Sequence, residues 1–146
     1  MRPTEMNKIK TPLRPHDFTR LNLVVIRAND IDKLATFYTT LGLQFTKHRH
    51  GKGPEHLSST AGQTVFEIYP ANNQNESTTS TRLGFSVPSL TNALDQLRQI
   101  GATILSEATE TEFGLRAVVK DFEGHKVELY EIAANRSPYS NQIDYL

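Results

Sequence analysis

Gly62-Gln-Thr-Val-Phe-Glu-Ile-Tyr-Pro70 is the stretch on which the fold turns. Read as a strand, it sends successive side chains to opposite faces. Phe66 and Ile68 then share one face and suit a helix-packed core, while Glu67 and Tyr69 share the other and suit a cleft. The pattern returns 61 residues later in Gly124-His-Lys-Val-Glu-Leu-Tyr-Glu131. There Val127 and Leu129 face inward, and Glu128 and Tyr130 face the cleft.

Upstream of each strand lies the same sequence of signals. Leu21–Arg27 is rich in β-branched residues and reads as a strand. Asp30 fits an N-cap, and Ile31, Leu34, Ala35, Tyr38 and Leu41 follow at helical spacing to a stop at Gly42. At an offset of 59 the series recurs as Ser89, Leu90, Ala93, Leu94, Leu97, Ile100 and Gly101, after a strand at Arg82–Val87. Further strands are expected at Gln44–His48, Glu55–Thr60, Thr64–Tyr69, Ala102–Ser106 and Gly114–Lys120, with a tight turn at Ala61-Gly62 and another at Asp121–Gly124. A βαβββ unit occurring twice accounts for the chain between residues 19 and 132.

This gives an organisation of residues 1–18 as an N-terminal arm or tail, 19–71 as a first module, 72–81 as a linker without apolar residues, 82–132 as a second module, and 133–146 as a C-terminal tail. At 146 residues, 19–132 form one domain with a shared core. Lysine plus arginine balance aspartate plus glutamate, 16 against 16, so nothing in the composition points to nucleic acid. The absence of cysteine removes disulfides, thiolate nucleophiles and thiolate zinc sites. No apolar run reaches the length of a membrane helix, and residues 1–15 lack the apolar core of a secretion signal; a cytoplasmic protein is expected.

The repeated unit resembles the vicinal oxygen chelate superfamily, which includes glyoxalase I, bleomycin-resistance proteins, fosfomycin-resistance enzymes and extradiol dioxygenases. The resemblance rests on Asp30-Ile-x-x-x-x-x-Phe-Tyr-x-x-Leu-Gly42, Phe66-Glu-Ile-Tyr-Pro70 and Asp121-Phe-Glu-Gly-His-Lys-Val-Glu-Leu-Tyr-Glu131. It implies an α+β fold in which two tandem βαβββ modules form a cleft-shaped, partly open mixed β-barrel with helices outside. It also implies a homodimer in which paired chains complete each cleft. In metal-dependent members four cleft-facing side chains meet at one divalent ion, and the matching positions here are Leu23, Glu67, Arg82 and Glu128. The glutamates match, whereas Leu23 has no donor atom and Arg82 is a permanent cation.

His56 is a candidate replacement ligand. A turn at Ala61-Gly62 sets it opposite Glu67 and on the cleft face, and a one-residue error in the turn would send it to the other face. Two carboxylates in one cleft call for a cation. One candidate is a divalent metal (nickel, zinc, manganese or iron) held by Glu67, Glu128 and His56. The other is Arg82, whose planar fork can bridge carboxylates. An arginine about 5 Å from a metal is repelled by roughly 3 kcal/mol per unit of metal charge at an effective dielectric near 20.

Three readings follow. In the first, a glyoxalase/bleomycin-resistance-like protein binds a small organic molecule without metal chemistry, with Arg82, Tyr69, Tyr130, Leu23 and Val25 contacting it. In the second, a metal-dependent lyase, isomerase or dioxygenase uses Glu67 and Glu128 as ligands, one of them also as catalytic base. In the third, the chain is an interaction module with no ligand.

Overall fold

A computed structural model describes residues 11, 12 and 14–133; the expected C-terminal tail and most of the arm lie outside the described residues. The first module contains β1 (Leu23–Ala28), α1 (Ile31–Thr40), β2 (Thr46–His48), β3 (His56–Ala61) and β4 (Thr64–Pro70). The second contains β5 (Leu83–Ser86), α2 (Leu90–Gln99), β6 (Thr103–Thr111), β7 (Gly114–Lys120) and β8 (Lys126–Ile132). Each module forms a four-stranded mixed sheet, in the order β1-β4-β3-β2 and β5-β8-β7-β6, and the two sheets do not close into a barrel. In each, the first strand runs parallel to the fourth.

The helix ends follow from the caps. The Asp30 carboxylate accepts from Lys33 N at 3.0 Å, and Ser89 Oγ accepts from Asn92 N at 3.3 Å. Each satisfies a backbone donor that the helix cannot pair itself. Leu34, Ala35 and Tyr38 are buried on α1, and Leu90, Ala93, Leu94 and Leu97 on α2, as the stripes require.

Both helices and the inward faces of both sheets share one core. It runs from Ile26, Phe66 and Ile68 in the first sheet to Ala117, Val119, Val127 and Leu129 in the second. Tyr38 is the ring at the junction. Its centroid lies 4.9 Å from Phe37, 4.9 Å from Phe66 and 5.6 Å from Phe85. Such edge and tilted ring pairs add about 0.5–1.5 kcal/mol each beyond burial.

Two local expectations need correction. The β3–β4 turn is Gly62-Gln63, because Ala61 pairs with Thr64. Gly62 has φ +60°, and a two-residue hairpin whose first central residue needs positive φ puts glycine there rather than second. Strand β6 extends to Thr111, well past Ser106, through register shifts on either side of Ser106. Residues 72–81, between the modules, hold a short 3-10 turn at Gln74–Glu76, and Thr78 Oγ1 accepts from Arg27 N at 2.9 Å.

Gly114 opens β7 with φ +135°, and a Cβ there would lie 2.2 Å from the Glu131 carbonyl oxygen. Gly114→Ala is expected to lower stability by about 1–3 kcal/mol from backbone strain, with the clash added. Chemical denaturation checks it, and an unchanged midpoint would contradict the close approach.

Candidate functional site

Alternation along the strands turns Glu67, Tyr69, Glu128 and Tyr130 away from the shared core, so each sheet presents an open face. No strand of one sheet pairs with a strand of the other. Among the described residues Glu67 and Glu128 share no ion-pair partner: His56 lies beside the first, and Arg82 and Arg116 bind the second.

The first face is built in rows across β2, β3, β4 and β1. One row holds His48, His56, Tyr69 and Arg27, the next Thr46, Ser58, Glu67 and Val25, and the next Thr60, Val65 and Leu23. Ser58, not His56, is opposite Glu67. His56 is one step along, and it stays on the same face because moving a two-residue turn by one position shifts the pairing by two. Only a turn of different length would invert the face. The His56 ring stacks on Tyr69 at 4.2 Å with planes 8° apart, and the Arg27 guanidinium carbon lies 5.2 Å from the Tyr69 centroid. His56 is buried, at 1% exposure. Its Nδ1 donates to the Pro54 carbonyl at 3.3 Å, and its Nε2 lies 3.5 Å from Glu67 Oε2. Nε2 has no hydrogen-bond partner among the described residues. Leu23, Val25 and Val65 make an exposed apolar patch beside this row.

The second face centres on Glu128. Arg82 Nε donates to Oε2 at 2.9 Å, Arg116 Nε and Nη2 reach Oε1 at 2.7 and 2.5 Å, and the Tyr130 hydroxyl lies 3.4 Å from Oε1. Burial pushes the Glu128 carboxyl up, but the hydrogen bonds from Arg116 and then Arg82 outweigh it and hold it below the usual range. Arg82 thus binds one glutamate and bridges none.

Arg116 was not among the sequence candidates, yet the repeat contained it. His56 and Arg116 are 60 residues apart, and each stands beside the tyrosine that follows its module's glutamate. The aligned helices and fourth strands revealed the repeat; the third strands, whose register depends on turns, concealed this pair.

A second group went unread. The Tyr38 hydroxyl donates to Asp121 Oδ2 at 2.6 Å, and His125 Nδ1 lies 3.1 Å from Oδ1 and 2.9 Å from Oδ2. Three backbone N–H groups, of Glu123, Gly124 and His125, also donate to Oδ1. His125 Nε2 meets Thr78 Oγ1 at 2.7 Å. A hydroxyl, an imidazole and a carboxylate in this order have the geometry of a nucleophilic relay. Tyr38, Asp121 and His125 are all buried, however, and Thr78 Oγ1 already accepts from β1, so the group ties α1, the linker, β1 and the β7–β8 turn together.

A cavity of about 540 Å³ lies at the module junction, walled by Val24, Leu41, Leu43, Phe66, Leu83 and Phe85. It reaches Arg82 but neither glutamate. No group of three or more histidine and carboxylate side chains is arranged to hold a metal among the described residues.

The sequence profile of the Glyoxalase/Bleomycin resistance protein/Dioxygenase superfamily matches residues 20–129. The chain belongs to this superfamily. Within it, the chain is similar in structure to TnmS3, an antibiotic binding protein from Streptomyces sp. CB03234, at 17% identity and a TM-score of 0.63, over 80% of this chain and 98% of that one. An integron cassette protein from the mobile metagenome of V. cholerae is similar at 20% identity, TM-score 0.63, over 80% and 97%. TioX from Micromonospora sp. ML1 is similar at 15% identity, TM-score 0.62, over 79% and 100%. At these identities the likeness carries the fold. No curated protein matches the sequence. Among the described residues no helix is long and apolar enough to cross a membrane.

Proposed function

We propose that this superfamily member binds a small organic molecule, without a divalent metal, in a cleft that a second copy of the chain completes. The observation that carries the reading is the state of Glu128. At the four positions where metal-dependent relatives place ligands, Leu23 offers no donor, and Glu128 is engaged by Arg82 and Arg116 on both oxygens. A divalent ion there would have to displace a guanidinium from each oxygen and then sit beside two fixed positive charges. This donor set does not fit a metal.

The open faces support a second copy. The two sheets share no paired strands, and a pocket walled on both sides needs a surface opposite an open face. Leu23, Val25 and Val65 form an exposed apolar patch of the kind that a partner surface covers. Antibiotic binding by TnmS3 supports an organic ligand as the occupant of such a cleft.

Metal analysis of protein purified without chelators tests the metal-free part of the reading. Transition metal well below one equivalent per chain is expected. One tightly held equivalent that Glu128→Gln releases would overturn it.

A further inference from the structure

The formal charge of the chain is zero, but its charges are not evenly placed. On β7 the side chains of Arg116 and Lys120 alternate with the core residues Ala117 and Val119, and on β8 Lys126 and Glu128 alternate with Val127 and Leu129. Lys120 and Lys126 are directly paired across the ladder, both exposed. Arg82 reaches the same face to bind Glu128.

The other carboxylates of this sheet lie off this face or are used elsewhere. Glu110 is in register with Leu115 and Glu131, on the opposite face from Arg116. Glu131 Oε1 accepts from Leu90 N at the start of α2, and Glu107 pairs with Arg98 on that helix. Among the described residues of the second sheet's open face, four basic side chains, Arg82, Arg116, Lys120 and Lys126, therefore share the face with one carboxylate. The first sheet's open face has no such excess. Its Glu67 faces His56, and Arg27 is paired with Glu76 at 3.4 Å.

We infer that the open face of the second sheet is an oxyanion-binding subsite, and that the ligand is an apolar organic molecule bearing one carboxylate or phosphate group. The inference rests on the reading of the protein as a small-molecule binder with a shared cleft, and it names the ligand class. Glu128 acts as a positioning residue. It grips Arg82 through Nε and Arg116 through Nε and Nη2, which among the described residues leaves the Nη groups of Arg82 to donate to a planar or tetrahedral oxyanion, with the Arg116 guanidinium held beside them. Arg82 is 47% exposed and Arg116 31%, so both remain reachable. Lys120 and Lys126 add attraction without fixed geometry. The apolar body of the ligand would rest on the Leu23, Val25 and Val65 patch of the second copy, where Glu67 disfavours a second negative charge.

Calorimetric titration of the full chain with 4-phenylbutyrate and with its neutral amide tests this. The two probes differ in charge and share a skeleton. The carboxylate is expected to bind at least about tenfold more tightly, with the difference shrinking as salt is raised. Arg116→Gln should reduce the preference to about threefold or less. Lys126→Gln, which touches no carboxylate among the described residues and should fold normally, should reduce it by about two- to threefold. Equal binding of acid and amide would overturn the oxyanion subsite and leave the small-molecule reading standing. Failure of both probes to bind would overturn the subsite together with that reading. A preference undiminished in both variants would overturn its placement on this sheet.

Discussion

Asp121→Ala is expected to destabilise the fold by about 3–5 kcal/mol, the range seen when one partner of a buried charged network is removed. The substitution leaves the Tyr38 hydroxyl and the backbone N–H groups of Glu123 and His125 without their acceptor and takes the carboxylate from the His125 ring in a buried site; the Gly124 N–H keeps the Asp121 carbonyl. The Tyr38 contact joins α1 of the first module to the β7–β8 turn of the second, so the modules should lose cooperativity as well as stability. Tyr38→Phe removes one donor and keeps the ring, and a smaller loss of about 1–3 kcal/mol is expected. The Tyr38 hydroxyl is itself pushed well above its ordinary range, by burial first and by Asp121 second, so it donates throughout the accessible pH range.

The pH dependence has a definite sign. Burial pushes the Asp121 carboxyl up, but hydrogen bonds from His125 and Tyr38 outweigh it and hold the group below its ordinary value. A carboxyl depressed in the folded state contributes stability that is fully present above its unfolded pKa and is lost as pH falls through the folded one. Wild-type stability should thus fall on acidification across that window, and the Asp121→Ala difference should narrow there. Denaturant titrations at several acidic pH values check this, and a difference that stayed constant with pH would contradict the assignment.

Val65→Lys is expected to weaken self-association about 100-fold, which corresponds to about 2.7 kcal/mol. Val65 is 37% exposed, so the single chain tolerates the change. In a paired arrangement the new ammonium would be desolvated beside Leu23 and would face the partner's basic sheet, where two penalties combine. Binding of 4-phenylbutyrate should weaken in parallel, because the same patch forms one wall of the cleft. An unchanged dissociation constant would show that this patch is not covered by a second copy.

The sequence made the architecture legible because its strongest signals are local. Asp30 and Ser89 cap their helices through contacts three residues away, and the stripes behind them need no distant information. Glu67 and Glu128 were placed correctly off the core because alternation within a strand fixes the face. What escaped depended on registers between strands. A glycine at the first position of a two-residue turn moved Ser58 opposite Glu67, and the pairing of β7 with β8 brought Arg116 to Glu128. The Asp121 network escaped for a different reason: its members come from residues 38, 78, 121 and 125, and only the packed modules bring them together. The sequence posed the balance of Glu67 and Glu128 as a choice between Arg82 and a metal. In the fold the two glutamates have separate partners, and a second arginine joins Arg82 at Glu128.

On the proposed function, the open faces become a binding cleft only when two chains meet. Sedimentation equilibrium of the intact protein at neutral pH, with and without 4-phenylbutyrate, tests it most directly. A species of twice the 16.4 kDa chain mass, further stabilised by the ligand, is expected. A protein that stays at the mass of one chain while binding the ligand with undiminished affinity would contradict it.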